Sequence, residues 1–190
     1  ADAKRGHQDW EVGDGALRLI PADPKLHSAY SHFPLFTTEE FENYALKADF
    51  RTEPNPESGH SGIVLRYAKP KSYEPSSLDV SIFGPARKQG YFATGAFSHG
   101  VQAPSRLAVK PAGEWNSFLI TVRGKNVRVE LNGQEVNALD LDQWDRPRKR
   151  PDGSDHQVPL ALKDLPSRGP IGFRDDYGIG ISFRNLKIKP

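Results

Sequence analysis

Cysteine and methionine are both absent from the 190 residues. Without cysteine there is no disulfide framework, no thiolate metal site and no thiol nucleophile. No apolar run approaches the ~20 residues that cross a bilayer. The net charge is only +2, despite an isoelectric point of 8.8. A balance so close to neutral argues against a broad nucleic-acid or membrane footprint. The nucleophile elbow, the phosphate loop and the His-Glu-x-x-His zinc helix are all missing. Helical periodicity is nearly missing too. The chain opens Ala-Asp-Ala-Lys-Arg-Gly, a start expected of a processed mature form and equally of a domain cut from a longer chain.

What is present is punctuation. Seventeen Gly and sixteen Pro separate short alternating segments, and 190 residues fit one domain that can bury roughly 70% of its unfolded surface. Residues 44–51, Tyr-Ala-Leu-Lys-Ala-Asp-Phe-Arg, put Leu46, Ala48 and Phe50 on one face and Lys47, Asp49 and Arg51 on the other. Residues 61–68 predict a second strand. Residues 77–84 predict a third, with Val80 and Ile82 opposite Asp79 and Ser81. In 118–123 Phe118, Ile120 and Val122 share a face, and in 127–131 Val127, Val129 and Leu131 do. Gly124-Lys125-Asn126 closes a hairpin between them, and Asn132-Gly133 is the two-residue turn signal into the next strand. The last strand, 178–189, changes phase between Phe183 and Leu186, which predicts a bulge near Arg184 or Asn185. Residues 37–44 are expected to open with one short helical turn capped by Thr38, with Glu40 near its start. Many short strands between turn signals mean an all-β sandwich or jelly roll of two antiparallel sheets. Residues 138–168 stand apart. They are polar, Pro-punctuated and too long for an ordinary connection, so a lid over one rim of the domain is expected, with Trp144 facing the groove.

In order along the chain run W-E-V-G-D-G-A-L (10–17), F-E-N-Y-A-L-K-A-D-F-R (41–51), S-G-I-V-L-R (61–66), T-G-A (94–96), G-E-W-N (113–116), L-N-G (131–133), G-P-I-G-F (169–173) and F-R-N-L-K-I-K (183–189). This ordered set resembles the 3-keto-disaccharide hydrolase domain family. The resemblance covers nearly the whole chain. It implies a concanavalin A-like jelly roll with a concave carbohydrate-facing side, in exported bacterial proteins of the periplasm or the exterior. Two positions depart from the family pattern. His60 precedes Ser-Gly-Ile where Asn is usual, and Arg174 ends Gly-Pro-Ile-Gly-Phe-Arg where Gln is usual. Both segments are expected at the concave face, where a change of residue bears on substrate and activity.

Each candidate constellation has a bland alternative. Lys47, Asp49 and Arg51 form either a polar groove or a solvated face of cross-strand charge pairs. Trp115-Asn116 and Phe183-Arg184-Asn185 are expected to be scaffold. Arg66, Asp79 and Ser81 either share the groove or contain a buried Arg–Asp pair that holds the sheet. Tyr67, Tyr73, Tyr91 and Trp144 are candidates for stacking on a sugar face. The basic run at 146–151 lacks an aromatic platform, so a nucleic-acid partner is not expected. The carboxylates of 140–145 invite calcium but lack the spacing and glycine of an EF-hand loop. No cofactor is therefore assigned, and a divalent cation stays as the alternative.

The Glu-x-Asp-x-x-Glu array of laminarinase-type enzymes on this fold is absent, which removes the ordinary two-carboxylate route. The chemistry implied by the resemblance is different. A ketone at carbon 3 acidifies the hydrogen on carbon 2, so one base can remove it and the enolate can expel the glycosidic oxygen from carbon 1. His60 or Asp79 is the candidate base, with Arg66, Lys47 or Arg51 at the enolate oxygen. Lys47, Asp49, Arg51, Ser81, Trp144 and Arg174 are the candidate substrate contacts. Replacing His60 or Asp79 is expected to abolish turnover with little loss of stability. Two readings follow: a domain that cleaves 3-keto-glycosides, or a non-catalytic saccharide-binding module joined to other domains of a longer chain.

Overall fold

The computed structural model describes residues 9–20, 34–53, 60–67, 77–84, 89–175 and 180–190. Tyr73 and the loop leading into His60 lie outside these residues. The strands are β1 (Asp9–Gly13), β2 (Ala16–Ile20), β3 (Leu35–Phe36), β4 (Tyr44–Arg51), β5 (His60–Leu65), β6 (Leu78–Phe83), β7 (Asn116–Arg123), β8 (Asn126–Leu131), β9 (Gln134–Asp140), β10 (Gly172–Asp175) and β11 (Ser182–Lys189). They form a seven-stranded antiparallel sheet in the order β1-β2-β11-β4-β7-β8-β9 and a four-stranded one in the order β3-β10-β5-β6. This is the expected jelly-roll sandwich.

The period-two alternation decides which side of each strand is buried. Leu46, Ala48 and Phe50 of β4 meet Phe118, Ile120 and Val122 of β7 on the inner face of the larger sheet. Ile63 and Leu65 of β5 and Val80 and Ile82 of β6 fill the inner face of the smaller one. Phe50 stacks on Phe118 at 4.8 Å between ring centroids, and Phe173 of the small sheet meets Phe183 of the large one edge-on at 5.1 Å. These contacts close the sandwich.

The bulge expected in the last strand is present: pairing of β11 with β4 shifts between Arg184 and Lys187, and Asn185 has φ of +52°. The helical turn expected at residues 37–44 is absent. That segment bends at 38–39 and 42–43 and is pinned to the chain near β10 instead, because Thr37 N donates to Ile171 O (2.9 Å) and Phe41 exchanges backbone bonds with Gly169. Asn116 is scaffold, as expected. It is buried, accepts from Lys110 N (2.8 Å) and from Asn132 Nδ2 (2.8 Å), and so ties the loop before β7 to the β8–β9 turn.

The segment at 138–168 begins inside β9 and then leaves the sheet. Two single 3-10 turns, Leu141–Gln143 and Leu162–Asp164, anchor its ends. Asp140 caps the first by accepting from Asp142 N (3.2 Å). Leu141, Trp144, Val158, Leu162 and Leu165 are buried in the main core. Its basic run is engaged internally. Lys149 pairs with Asp155 (2.5 Å), Arg148 donates to Gln157 O (3.3 Å), and Arg150 donates to Gly100 O and to Val101 O (3.0 Å). The segment is thus a folded excursion with its own apolar anchor. Among the described residues, no helix is long and apolar enough to cross a membrane.

His156 lies within this anchor, edge-on to Trp144 at 5.6 Å, with Nδ1 accepting from Val158 N (3.2 Å). Burial lowers its pKa below the ordinary 6.5. The unfolded chain therefore takes up the proton first, so stability is lost as pH falls from about 6.5 toward the folded-state value. Thermal melts at pH 7.5 and pH 5 are expected to show a smaller acid-induced drop for His156→Gln than for the wild type. Equal drops would mean that His156 does not drive this loss.

Candidate active site

The outer face of the four-stranded sheet is the polar one that gathers chemistry. Register sets three rows across it. Gly172, Val64 and Asp79 lie side by side; then Arg174, Gly62 and Ser81; then His60 and Phe83. Gly62 is needed for space. A Cβ there would lie 2.7 Å from Val80 O and 3.6 Å from Arg174 Nε, so a bare backbone forms the floor under the guanidinium.

An irregular segment, residues 93–98, extends the sheet beyond β6. Ser81 N donates to Ala96 O, Gly95 N to Ser81 O and Ser98 N to Asp79 O, each at 2.9 Å. The turn that follows, Ser98-His99-Gly100, holds His99 at φ of +59°, a conformation non-glycine residues adopt at a cost. That turn carries His99 over Asp79.

Asp79 is the centre. It is 2% exposed. Arg174 Nη2 lies 3.0 Å from its Oδ2, His99 Nε2 lies 3.7 Å from the same oxygen, and Ser77 Oγ donates to Oδ1 at 2.5 Å. Burial alone would push this carboxyl up. The Arg174 charge, the His99 contact and the Ser77 hydroxyl overcome that and hold it well below the usual carboxylate range. Arg174 Nη2 also lies 3.3 Å from His60 Nε2 and donates to Ser98 Oγ (3.4 Å), and the Ser98 and Ser81 hydroxyls are 2.7 Å apart. The face therefore brings together a fixed carboxylate, a guanidinium, two imidazoles and hydroxyls. Such a set can bind a polyhydroxylated ligand, accept a proton and stabilise an oxyanion.

Of the residues proposed from sequence, His60, Asp79, Ser81 and Arg174 meet here. The others do not. Lys47, Asp49 and Arg51 lie on β4, on the outer face of the other sheet, across the sandwich. There Asp49 accepts from Asn185 Nδ2 (2.7 Å), and the Arg51 and Arg184 guanidinium carbons sit 4.9 and 3.9 Å from the Trp115 ring centroid. The bland reading of that trio, a face of local charge pairs, fits this better. Arg66 breaks the alternation of β5 with φ of +50° and turns away, donating to Pro166 O (2.9 Å) and to Gly124 O. The partner of Asp79 is thus Arg174, and Arg66 ties two loops together. Trp144 is 4% exposed and packs in the core, because its ring is the excursion's anchor; it does not face a groove. Among the stacking candidates, Tyr67 packs on Phe36 at 4.6 Å, and Tyr91 stays accessible at the rim. Among the described residues no three His, Asp or Glu side chains are grouped to hold a metal ion.

Ser77, Ser98 and His99 were not singled out from sequence. The available signal was the Ser-His-Gly triplet just after Thr-Gly-Ala, a polar side chain beside a glycine in a turn.

The fold is a β-sandwich, and comparison with known proteins makes it a carbohydrate-related domain. Residues 1–189 match the 3-keto-alpha-glucoside-1,2-lyase-like domain, and the chain belongs to that family. It is similar to a protein of Parabacteroides distasonis ATCC 8503 provisionally named a glycosyl hydrolase, with 30% identity and a TM-score of 0.79, over 95% of this chain and 89% of that one. A second such protein from the same organism gives 20% identity and a TM-score of 0.68, over 97% and 83%. The carbohydrate-binding module CBM66 of Bacillus subtilis shares the fold at 10% identity and a TM-score of 0.52, over 97% and 92%. A comparison with curated proteins found no match.

Asp79 is buried and paired, so its removal breaks a buried ion pair with Arg174 and leaves the Ser77 hydroxyl without its acceptor. Asp79→Ala is expected to cost about 3–5 kcal/mol, which corrects the expectation of little loss. Arg66→Ala, which strands two carbonyls, is expected to cost about 2–3 kcal/mol while leaving saccharide binding at the His60 face unchanged. Urea unfolding and calorimetric titration of each folded variant check both. A binding defect in Arg66→Ala would return that residue to the site.

Proposed function

We propose that the face around His60, Asp79 and Arg174 binds a glycoside and cleaves its 3-keto form by elimination. The observation that carries this is Arg174 Nη2 lying within 3.3 Å of both Asp79 and His60. A cation and a proton acceptor thus converge on one point. Membership of a 3-keto-glucoside family supports the choice of substrate.

In this reading the substrate's carbonyl oxygen replaces His60 Nε2 as the acceptor of Arg174, His60 takes the proton from carbon 2, and the electrons of that C–H bond form the enolate whose oxygen Arg174 stabilises. The enolate collapses, the carbon 1–oxygen bond breaks, and the leaving oxygen takes a proton from His99 or from water. The products are an unsaturated 3-keto sugar and the free alcohol. Asp79 is a poor base, since its carboxyl is held far below the working pH and a good general base titrates near it. Its part is to orient Arg174 and His99. The family's link to carbohydrate and a chain without cysteine are compatible with work outside the cytoplasm, in the periplasm or beyond it.

The test is incubation with 3-keto-glucosides and with their unoxidised parents, following release of the alcohol. Release from the 3-keto forms alone is expected, and His60→Gln, with its fold intact by circular dichroism, is expected to be slower by about 100-fold or more. Equal release by His60→Gln would remove the base assignment. Binding without release from either form would make the domain a saccharide-binding module.

A further inference from the structure

The third row of the same face is chemically unlike the other two. The His60 ring stacks on Phe83 at 4.6 Å with 10° between planes, and Phe83 meets Phe92 edge-on at 5.9 Å. Phe92 ends the 3-10 turn Gly90–Phe92 and is 57% exposed; Tyr91 beside it is 39% exposed, with the Arg150 guanidinium 4.6 Å from its ring centroid. Single exposed rings are ordinary on protein surfaces. Here two consecutive ones continue a line of rings that starts at the candidate base. Alternate residues along a strand are about 6.6 Å apart, so this row lies roughly one sugar ring's width from the Arg174–Ser81 row.

We infer that the row His60–Phe83–Phe92 is the subsite for the leaving group, and that it takes an aromatic aglycone in preference to a second sugar. The inference rests on the saccharide reading of the Arg174–Asp79 rows. A second sugar would need partners for its hydroxyls, and among the described residues the Thr94 hydroxyl and the Arg150 guanidinium beside this row are engaged elsewhere. The Thr94 hydroxyl accepts from Phe83 N (3.1 Å) and donates to Phe83 O (3.3 Å). Arg150 is held by Gly100 O, by Val101 O and by the Ser154 hydroxyl (2.9 Å). Phe83 is 7% exposed and backs the row, so what the row offers a ligand is the exposed ring surface of Phe92, with Tyr91 beside it.

The test compares dissociation constants for methyl glucoside, phenyl glucoside and a glucose disaccharide of one anomer, each as the parent and as the 3-keto form, on the wild type, Phe92→Ser and Phe92→Tyr. The wild type is expected to hold the phenyl glycoside about 3- to 10-fold more tightly than the other two. Phe92→Ser is expected to bring the phenyl-to-methyl ratio near one, and Phe92→Tyr to keep it. Equal binding of all three, tightest binding of the disaccharide, or a ratio unmoved in Phe92→Ser overturns the aromatic subsite while the saccharide reading stands. Failure of the wild type to bind any glycoside overturns both.

Discussion

A carboxylate buried to 2% exposure cannot stay charged alone, and in this domain the answer to that constraint is Arg174. The pair sits on the outer face of the small sheet, where β5 and β10 run side by side and Gly62 leaves the gap that the guanidinium crosses. The neighbouring polar groups are arranged around it. Ser77 fixes one oxygen of Asp79, His99 approaches the other, and Ser98 and His60 lie against the same Nη2 of Arg174 that pairs with Asp79. Two of these, His60 and Arg174, are the positions read from sequence as departures from the resemblance, and they are in contact with one another.

The strands were legible because their cores are regular. Residues 44–51 form one strand from Tyr44 to Arg51, and the phase change between Phe183 and Leu186 correctly signalled a bulge in β11. Alternation tells which residues of a strand share a side. It does not tell which sheet the strand joins. That is why Lys47, Asp49 and Arg51 were grouped with Asp79 and Ser81, although β4 and β6 belong to opposite sheets. Arg66 was misplaced for a local reason, since one residue at positive φ reverses the side its neighbours imply. Trp144 was misjudged because the apolar residues of the excursion are too scattered to show a period. Leu141, Trp144, Val158 and Leu162 become one cluster only when the segment folds back. His99 carried no periodic signal at all.

The two outer faces divide the labour of the domain. The face of the large sheet holds its charges in local pairs and over an aromatic ring, with Arg51 and Arg184 against Trp115 and Asp49 against Asn185. The face of the small sheet converges its charges on one point. Convergence of unlike groups at a strained turn is the arrangement expected where a ligand is handled.

The excursion has one contact whose effect reaches beyond packing. Gln157 N donates to His99 O at 2.8 Å, and Arg150 grips the next two carbonyls, Gly100 O and Val101 O. The turn that aims His99 is therefore moulded, through its backbone carbonyls, by a segment some fifty residues further along. Sequence drift in that segment can re-aim an imidazole without altering a single residue of the constellation. Relatives with identical side chains on the small sheet would then differ in how this imidazole is aimed, and the difference would be written in a stretch that comparison of the strands alone would pass over.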